Sequence, residues 1–179
     1  SCDIEKVTSQ PLTFDMKYIF GFVGERIIKE LNPYSIRALA RNINEYLENI
    51  FEKSDIEKLK IDIFIEKLEE IKIITEDKRL KLEIEKIIYD VKLDFDENHI
   101  EIPTGFCHGD LTFSNMIISE NGDLCLIDFL HTFCESPLQD YAKLIQELKY
   151  GWSMRYESKY SKTKAKIAYK EIKSNLKIL

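Results

Sequence analysis

Two short apolar runs joined by a tight turn limit how this chain can fold more than any other feature. The runs cover residues 116–119 and 124–127, and the turn between them contains Asn121 and Gly122. An Asn-Gly pair readily adopts the positive φ angles of a two-strand turn, so the pattern predicts a β-hairpin. Because a hairpin returns the chain to its starting point, we expect the residues that flank the two strands to lie near each other.

Polar residues occupy these flanking positions. Asn115 precedes the first strand, Asp128 follows the second, and Asp110 lies upstream in a loop opened by Gly109. Hard oxygen ligands of this kind suit Mg²⁺, which keeps several waters and takes one or two carboxylates together with substrate phosphates. The sequence therefore predicts a site that handles a polyphosphate through metal ions.

Length and composition predict one globular unit. The chain has 179 residues, of which 44% are apolar and 32% charged, enough for one well-buried core and short for two. Its net charge of −6 argues against a general nucleic-acid partner. The four cysteines form no C-x-x-C pair, and no secretory signal or membrane-spanning run is visible, so a cytoplasmic location is expected.

Hydrophobic periodicity predicts a mostly helical chain around the hairpin. Residues 12–20 favour a strand that ends at Gly21. An apolar stripe predicts a helix over residues 35–51 with Ser35 as its N-cap. The other predicted helices cover residues 22–31, 55–73 and 76–91, a segment introduced by Pro137 and Asp140, and residues 162–178, whereas residues 94–101 are expected to form a solvated loop.

The motif C-H-G-D-L-T-F-S-N at residues 107–115, followed by L-I-D-F at residues 126–129, resembles the aminoglycoside phosphotransferase and choline kinase family. In the related protein kinases an Asp stands five residues before an Asn and a second Asp opens a D-F-G. H-G-D in place of H-R-D, and D-F-L in place of D-F-G, indicate the small-molecule branch. Residues 135–144 resemble the Pro-x-x-Asp segment of the family, and residues 16–21 resemble its strand and hinge.

The resemblance implies an α+β, predominantly helical fold that corresponds to the C-terminal lobe of a protein-kinase-like fold. The 179 residues would then form a single lobe. Its expected parts are the end of the N-terminal lobe and hinge strand (residues 1–21), a helical region (22–104), the catalytic loop and metal-binding hairpin (105–140) and the C-terminal helices (141–179).

The resemblance also implies a kinase that moves the γ-phosphate of ATP or GTP to a hydroxyl of a small molecule, such as an aminoglycoside, a choline-like amino alcohol or a sugar. Asp110 would accept or orient the proton of that hydroxyl, and Asn115 and Asp128 would hold Mg²⁺. His108 would fix the loop. Asp140 would cap its helix and bond the backbone of the catalytic loop.

The nucleotide side of such a site is incomplete in this sequence. Neither glycine-rich phosphate-loop pattern occurs, and the segment before the hinge is too short to supply a phosphate-pairing Lys with its Glu partner. We therefore expect the N-terminal lobe of the same polypeptide to lie outside these residues, and the isolated chain to be inactive. Backbone groups of the hinge residues Lys17, Tyr18 and Ile19 would meet the adenine.

Two other functions stay open at this point. A pseudokinase-like binding or regulatory module would keep the lobe without transferring phosphate, and the absent N-terminal elements motivate it. A metal-dependent hydrolase using His108, Asp110 and Asp128 is the third hypothesis.

Overall fold

The computed structural model describes residues 4–9, 12–16, 18–95 and 98–177 and has an α+β, mostly helical fold. Its elements in chain order are β1 (Ile4–Ser9), β2 (Leu12–Met16), β3 (Gly21–Val23), α1 (Gly24–Glu30), α2 (Pro33–Glu52), β4 (Asp55–Lys60), α3 (Asp62–Ile74), α4 (Lys78–Asp94), β5 (His99–Thr104), β6 (Met116–Ser119), β7 (Leu124–Leu126), α5 (Pro137–Tyr150) and α6 (Lys159–Asn175).

The predicted hairpin is confirmed by the pairing of β6 with β7. Met116 lies opposite Leu126 and Ile118 opposite Leu124 in an antiparallel register. Gly122 has a φ of +88° at the turn, in the left-handed region that glycine adopts without a steric penalty. The strand β3 adds to the other side of β6 and completes a three-stranded sheet in the order β3-β6-β7.

The main core lies between this sheet and the helices α1, α2, α5 and α6. The apolar stripe predicted for α2 is buried, and its buried members are Ile36, Leu39, Ala40, Ile43, Leu47 and Ile50. Asn44 joins α2 to the end of α6, because its Nδ2 donates to Asn175 O at 2.8 Å and its Oδ1 accepts from Lys177 N at 3.0 Å. The burial of this helix face fixes the scaffold that supports the loop before the hairpin.

The prediction of one helix over residues 55–73 is wrong. Asp55–Lys60 forms β4, which pairs antiparallel with β5 from Asp55 opposite Thr104 to Lys60 opposite His99, and α3 begins only at Asp62. Pairing with a strand far along the sequence overrides the local helical pattern. The same pairing corrects the predicted loop over residues 94–101, since β5 already begins at His99; residues 96–97 lie outside the described part of the chain.

Several predicted boundaries also shift. The strand predicted over residues 12–20 ends at Met16 in β2, and the helix predicted from residue 22 begins at Gly24 because β3 precedes it. The N-cap of α2 is Asn32 rather than Ser35: Asn32 Oδ1 accepts from Tyr34 N at 2.9 Å and from Ser35 N at 3.3 Å. Among the described residues, no helix has both the length and the apolar character that crossing a membrane requires.

Candidate active site

The side chain of Asp140 anchors the loop that precedes the hairpin through hydrogen bonds. Its side chain is fully buried in α5. Its Oδ2 accepts from His108 N at 2.7 Å and from the Tyr46 hydroxyl at 2.6 Å, and its Oδ1 accepts from Gly109 N at 2.8 Å. Burial, together with the neighbouring Asp140 carboxylate, raises the pKa of Tyr46, so the hydroxyl stays a donor.

The helix-capping role expected for Asp140 is wrong. Ser136 caps α5, because its Oγ accepts from Leu138 N at 3.2 Å. Asp140 stands one turn further along, inside the helix. Its two carboxylate oxygens bond to backbone groups of the loop and to Tyr46 instead of to the helix end.

His108 connects the loop to the end of β7. The side chain is fully buried, and its Nδ1 accepts from Asp110 N at 3.2 Å. The proton therefore belongs on Nε2, which donates to Ile127 O at 2.7 Å. Since both ring nitrogens are engaged within the protein, His108 offers no ligand atom to a metal, which disfavours the hydrolase hypothesis.

Gly109 allows the loop to pack against the segment after β7. Its φ is +83°, and a Cβ on this residue would lie 2.3 Å from Leu130 O. In the same contact Leu130 N donates to His108 O at 2.9 Å. Only glycine fits this position, for both conformational and steric reasons.

Asn115 fixes the carboxylate of Asp110. Asn115 ends a short 3-10 helix, Phe113–Asn115, and is buried. Its Nδ2 donates to Asp110 O at 2.9 Å and to Asp110 Oδ2 at 3.0 Å. Because both partners are acceptors, the amide orientation is determined, and Oδ1 is the side-chain atom left for a cation.

The hairpin brings Asp128 back toward Asn115 through the backbone. Ile127 N donates to Asn115 O at 3.1 Å, and Asp128 is the next residue. Asp128 is exposed and has a φ of +59°, a left-handed conformation that costs most non-glycine residues about 1–2 kcal/mol and that Asp adopts more readily than most. Local strain of this kind concentrates at functional positions.

Comparison with known families gives one match. A model described as the phosphotransferase enzyme family, APH, matches residues 39–168, which is more than half of the chain and includes the whole loop and hairpin. The chain belongs to this phosphotransferase family. The resemblance to aminoglycoside phosphotransferases and choline kinases is therefore confirmed. Neither the curated proteins nor the solved structures give a match.

This member of the phosphotransferase family has a charged residue beside Asp110 that the sequence pattern did not indicate. Lys143 Nζ lies 3.0 Å from Asp110 Oδ1, and the two side chains are 36% and 25% exposed. Lys143 follows Asp140 by three residues in α5, a spacing that places both on one face of the helix. Asp140 is expected to bond to the loop backbone, so a residue three positions later can be expected to face the same loop. That residue is Lys143.

Only part of the predicted hinge, residues 17–19, lies among the described residues. Lys17 lies outside the described residues, whereas Tyr18 is exposed and its ring packs edge-on against Phe20 at 4.7 Å between centroids. Ile19 lies between them, outside any helix or strand. Phe20 O accepts from Glu120 N at 3.1 Å, so the segment joins the outer end of the hairpin. The contact of this backbone with an adenine stays a prediction.

The candidate metal ligands are one amide and one carboxylate, Asn115 and Asp128. Among the residues that the structure describes, no group of three or more His, Cys, Asp or Glu side chains gathers as it would in a dedicated metal cage. A set of few, hard oxygen ligands suits Mg²⁺, which takes its remaining ligands from water and phosphates.

Proposed function

We propose that this phosphotransferase is a kinase that moves the γ-phosphate of ATP or GTP to a hydroxyl of a small molecule. The observation that carries the proposal is the pairing of Asp110 with Asn115 on a loop held by Asp140. The acceptor class is an aminoglycoside, a choline-like amino alcohol or a sugar. In this proposal the described fold corresponds to the C-terminal lobe of a protein-kinase-like fold.

Asp110 is the residue that receives the acceptor hydroxyl. One of its carboxylate oxygens bonds to Asn115 and the other to Lys143. An ionised carboxylate has about four lone-pair positions, so it can accept a further hydrogen bond from the incoming hydroxyl. Phosphoryl transfer depends mainly on positioning and charge neutralisation, so a carboxylate already fixed in direction contributes by orienting the nucleophile.

Asn115 Oδ1 and the Asp128 carboxylate would hold Mg²⁺, in agreement with the hard-oxygen character of this donor pair. The Mg-nucleotide supplies the phosphoryl group and offsets its negative charge when it binds. Two contacts hold Asn115 and Asp128 in position. Asn115 Nδ2 donates to Asp110 O, and Asn115 O accepts from the backbone N–H of Ile127, the residue before Asp128.

The rest of the nucleotide site is proposed to come from an N-terminal lobe of the same polypeptide. The 179 residues contain no glycine-rich phosphate loop, and in this proposal the groups that bind the phosphates come from that lobe. Lys17, Tyr18 and Ile19 would form the hinge and meet the adenine through their backbone.

The experiment is a transfer assay on the full-length gene product with Mg-ATP, Mg-GTP and a panel of hydroxyl acceptors. Asp110→Asn keeps the size of the side chain but removes its basicity, so kcat should fall by about 10²- to 10⁴-fold. Asp123→Asn makes the same chemical change at the exposed turn of the hairpin and should leave kcat unchanged. Matching urea midpoints would show that both variants fold.

Two results would contradict the proposal. Full turnover in Asp110→Asn would remove Asp110 from its assigned role. Absence of transfer by the wild-type protein to every acceptor, despite nucleotide binding, would favour the pseudokinase-like module.

A further inference from the structure

We propose that a pocket between the end of α5 and α6, lined by residues from Leu148 to Tyr169, binds a small organic anion with an apolar body, such as an aromatic carboxylate. A buried hydroxyl without a partner, exposed cations and an apolar floor support this α5–α6 pocket as a ligand site. The proposal is independent of the function proposed above, because Asp110, Asn115 and Asp128 do not line the pocket.

The α5–α6 pocket has the size of a small-molecule site. Its volume is about 390 Å³, and such sites usually measure about 300–1,000 Å³. Leu148, Met154 and Ala165 line the pocket, and all three side chains are buried. This floor favours a ligand that brings apolar surface out of water.

The pocket lies at the opposite end of α5 from Asp140, the residue that anchors the catalytic loop. Gly151 is the C-cap of α5 and lines the pocket. With a rise of about 1.5 Å per residue, Gly151 is about 16 Å along the helix axis from Asp140. A ligand in this pocket therefore takes a position different from those proposed for the acceptor hydroxyl and for Mg²⁺.

The observation that indicates a ligand is the hydroxyl of Tyr169. Tyr169 lines the pocket and is only 7% exposed. Its hydroxyl has no hydrogen-bond partner in the described part of the chain, although buried hydroxyls are normally bonded. A Cβ on Gly151 would lie 3.6 Å from this oxygen, so the hydroxyl faces a part of the pocket wall that carries no side chain. A ligand atom placed there would complete the hydrogen bonding of Tyr169.

The atom that Tyr169 lacks is a hydrogen-bond acceptor. Burial, followed by the charges of Glu147 and Glu25, raises the pKa of Tyr169, so the hydroxyl keeps its proton. Glu147 itself is fully buried, and both of its carboxylate oxygens accept from Ser153 N at 3.1 Å. An ionised oxygen of a ligand is a stronger acceptor than a neutral one, which favours an anion.

Positive charge surrounds the mouth of the pocket. Lys149, Arg155 and Lys166 line it and are exposed. The guanidinium of Arg155 is held in place, because it lies 4.1 Å from the centre of the Trp152 ring and 4.6 Å from that of Tyr156. Exposed cations alone would indicate only a solvated surface, but here they stand above the unpartnered hydroxyl.

Acidic groups do not cancel this charge. Among the described residues that line the pocket, none is acidic. Lys162 also lines it, but its Nζ donates to Arg155 O at 2.8 Å, and its charge adds to the hydrogen bond from Lys29 that lowers the pKa of Glu157. The charge that remains for a ligand therefore comes mainly from Lys149, Arg155 and Lys166.

The test compares four ligands by calorimetry on the full-length gene product. Phenylpropionate is the anion, phenylpropanamide is neutral, phenylpropylamine is cationic, and acetate keeps the carboxylate without the ring. Phenylpropionate should bind about tenfold more tightly than the amide or acetate, and the amine should not bind. The affinity for phenylpropionate should fall as ionic strength rises.

Variants locate the site. Tyr169→Phe removes the hydroxyl and keeps the ring, which stacks on Phe113 at 5.6 Å between centroids. It should weaken phenylpropionate binding about tenfold and leave the urea midpoint unchanged or raised, because the free protein loses no hydrogen bond. Arg155→Gln and Lys166→Gln should each weaken binding about two- to fivefold. Lys170→Gln changes an exposed lysine of α6 outside the pocket and should leave the affinity unchanged.

Several results would overturn the proposal. No binding of phenylpropionate at its solubility limit, or equal binding of the acid and the amide, would show that the pocket does not select an anion. An unchanged affinity in Tyr169→Phe, or equal losses in Lys166→Gln and Lys170→Gln, would place the anion elsewhere. A lowered urea midpoint in Tyr169→Phe would show that the hydroxyl already has a partner in the free protein.

Discussion

Gly109, in the loop that carries Asp110, and Gly122, in the hairpin turn, allow the cost of a steric clash to be separated from the cost of a left-handed conformation. Both glycines have nearly the same φ, +83° and +88°, but a Cβ on Gly109 would lie 2.3 Å from Leu130 O, whereas a Cβ on Gly122 would meet nothing within 4 Å. Alanine at Gly122 should cost about 1–2 kcal/mol of unfolding free energy, from the left-handed conformation alone. Alanine at Gly109 should cost clearly more.

Urea unfolding followed by circular dichroism measures this difference. The loss at Gly109 should be accompanied by a loss of phosphoryl transfer, because the loop would have to move away from the segment after β7. Equal free-energy losses at the two glycines would contradict this prediction, because the backbone around Gly109 would then be able to move away from Leu130 O at no cost in free energy.

At the residue scale, the sequence predicted the candidate site residues that belong to one short motif. The spacing and the turn point to Asp110, Asn115 and Asp128. The structure joins the first two by a hydrogen bond, and their role in a shared site stays a prediction. Lys143 was missed because its contact depends on which way α5 faces. The left-handed φ of Asp128 was also beyond prediction, since no residue pattern requires it.

At the element scale, two residues can be compared as the N-cap of α2: Asn32, which the structure shows, and Ser35, which the sequence predicted. Asn32 Oδ1 accepts from two backbone N–H groups of the first turn, and Pro33 occupies the first helical position. Asn32→Ala should cost about 1 kcal/mol of unfolding free energy, the usual value for loss of an N-cap. Ser35→Ala should change it by no more than a few tenths, because alanine is a good helix former inside the first turn.

Thermal and urea unfolding of the two variants, compared with the wild type, would check this prediction. A larger loss at Ser35 than at Asn32 would contradict the assigned cap. The sequence favoured Ser35 because the apolar stripe begins directly after it, but Asn32-Pro33 is itself a strong start signal. The same pair follows the helix predicted over residues 22–31, so it can end one helix and begin the next.

Other elements show that signals within a short stretch of sequence predict structure better than pairing between distant residues does. The hairpin of β6 and β7 was predicted because its turn chemistry and both strands lie within a dozen residues. The strand β4 was not, because its pairing partner β5 lies more than thirty residues away. The sequence of β4 alternates too weakly to outweigh the helical pattern that follows it.

At the scale of the whole molecule, two apolar clusters of different size divide the structure. The main cluster joins α1, α2, the hairpin, α5 and α6, and it includes Leu111 and Phe113 from the loop that carries Asp110. The smaller cluster joins α3 and α4, and its buried members are Ile61, Ile65, Ile84 and Ile88. The proposed catalytic machinery is therefore attached to the larger of the two.

This division predicts that the α3–α4 unit opens without the rest of the molecule. Segments with few buried apolar contacts exchange their amide hydrogens through local opening, at a lower free energy than global unfolding. Amides of α3 and α4 should therefore exchange faster than those of α2 and α6. Ile84→Ala, which removes a buried side chain worth about 2–5 kcal/mol, should accelerate exchange in α3 and α4 only.

Leu39→Ala is the matched control, because Leu39 is fully buried in the main cluster. This variant should lower protection in α2 and α6 and shift the global urea midpoint. If Ile84→Ala accelerated exchange in α2 as much as in α4, the two clusters would unfold as one cooperative unit. The loop that carries Asp110 would then depend on the small cluster as strongly as on the main core.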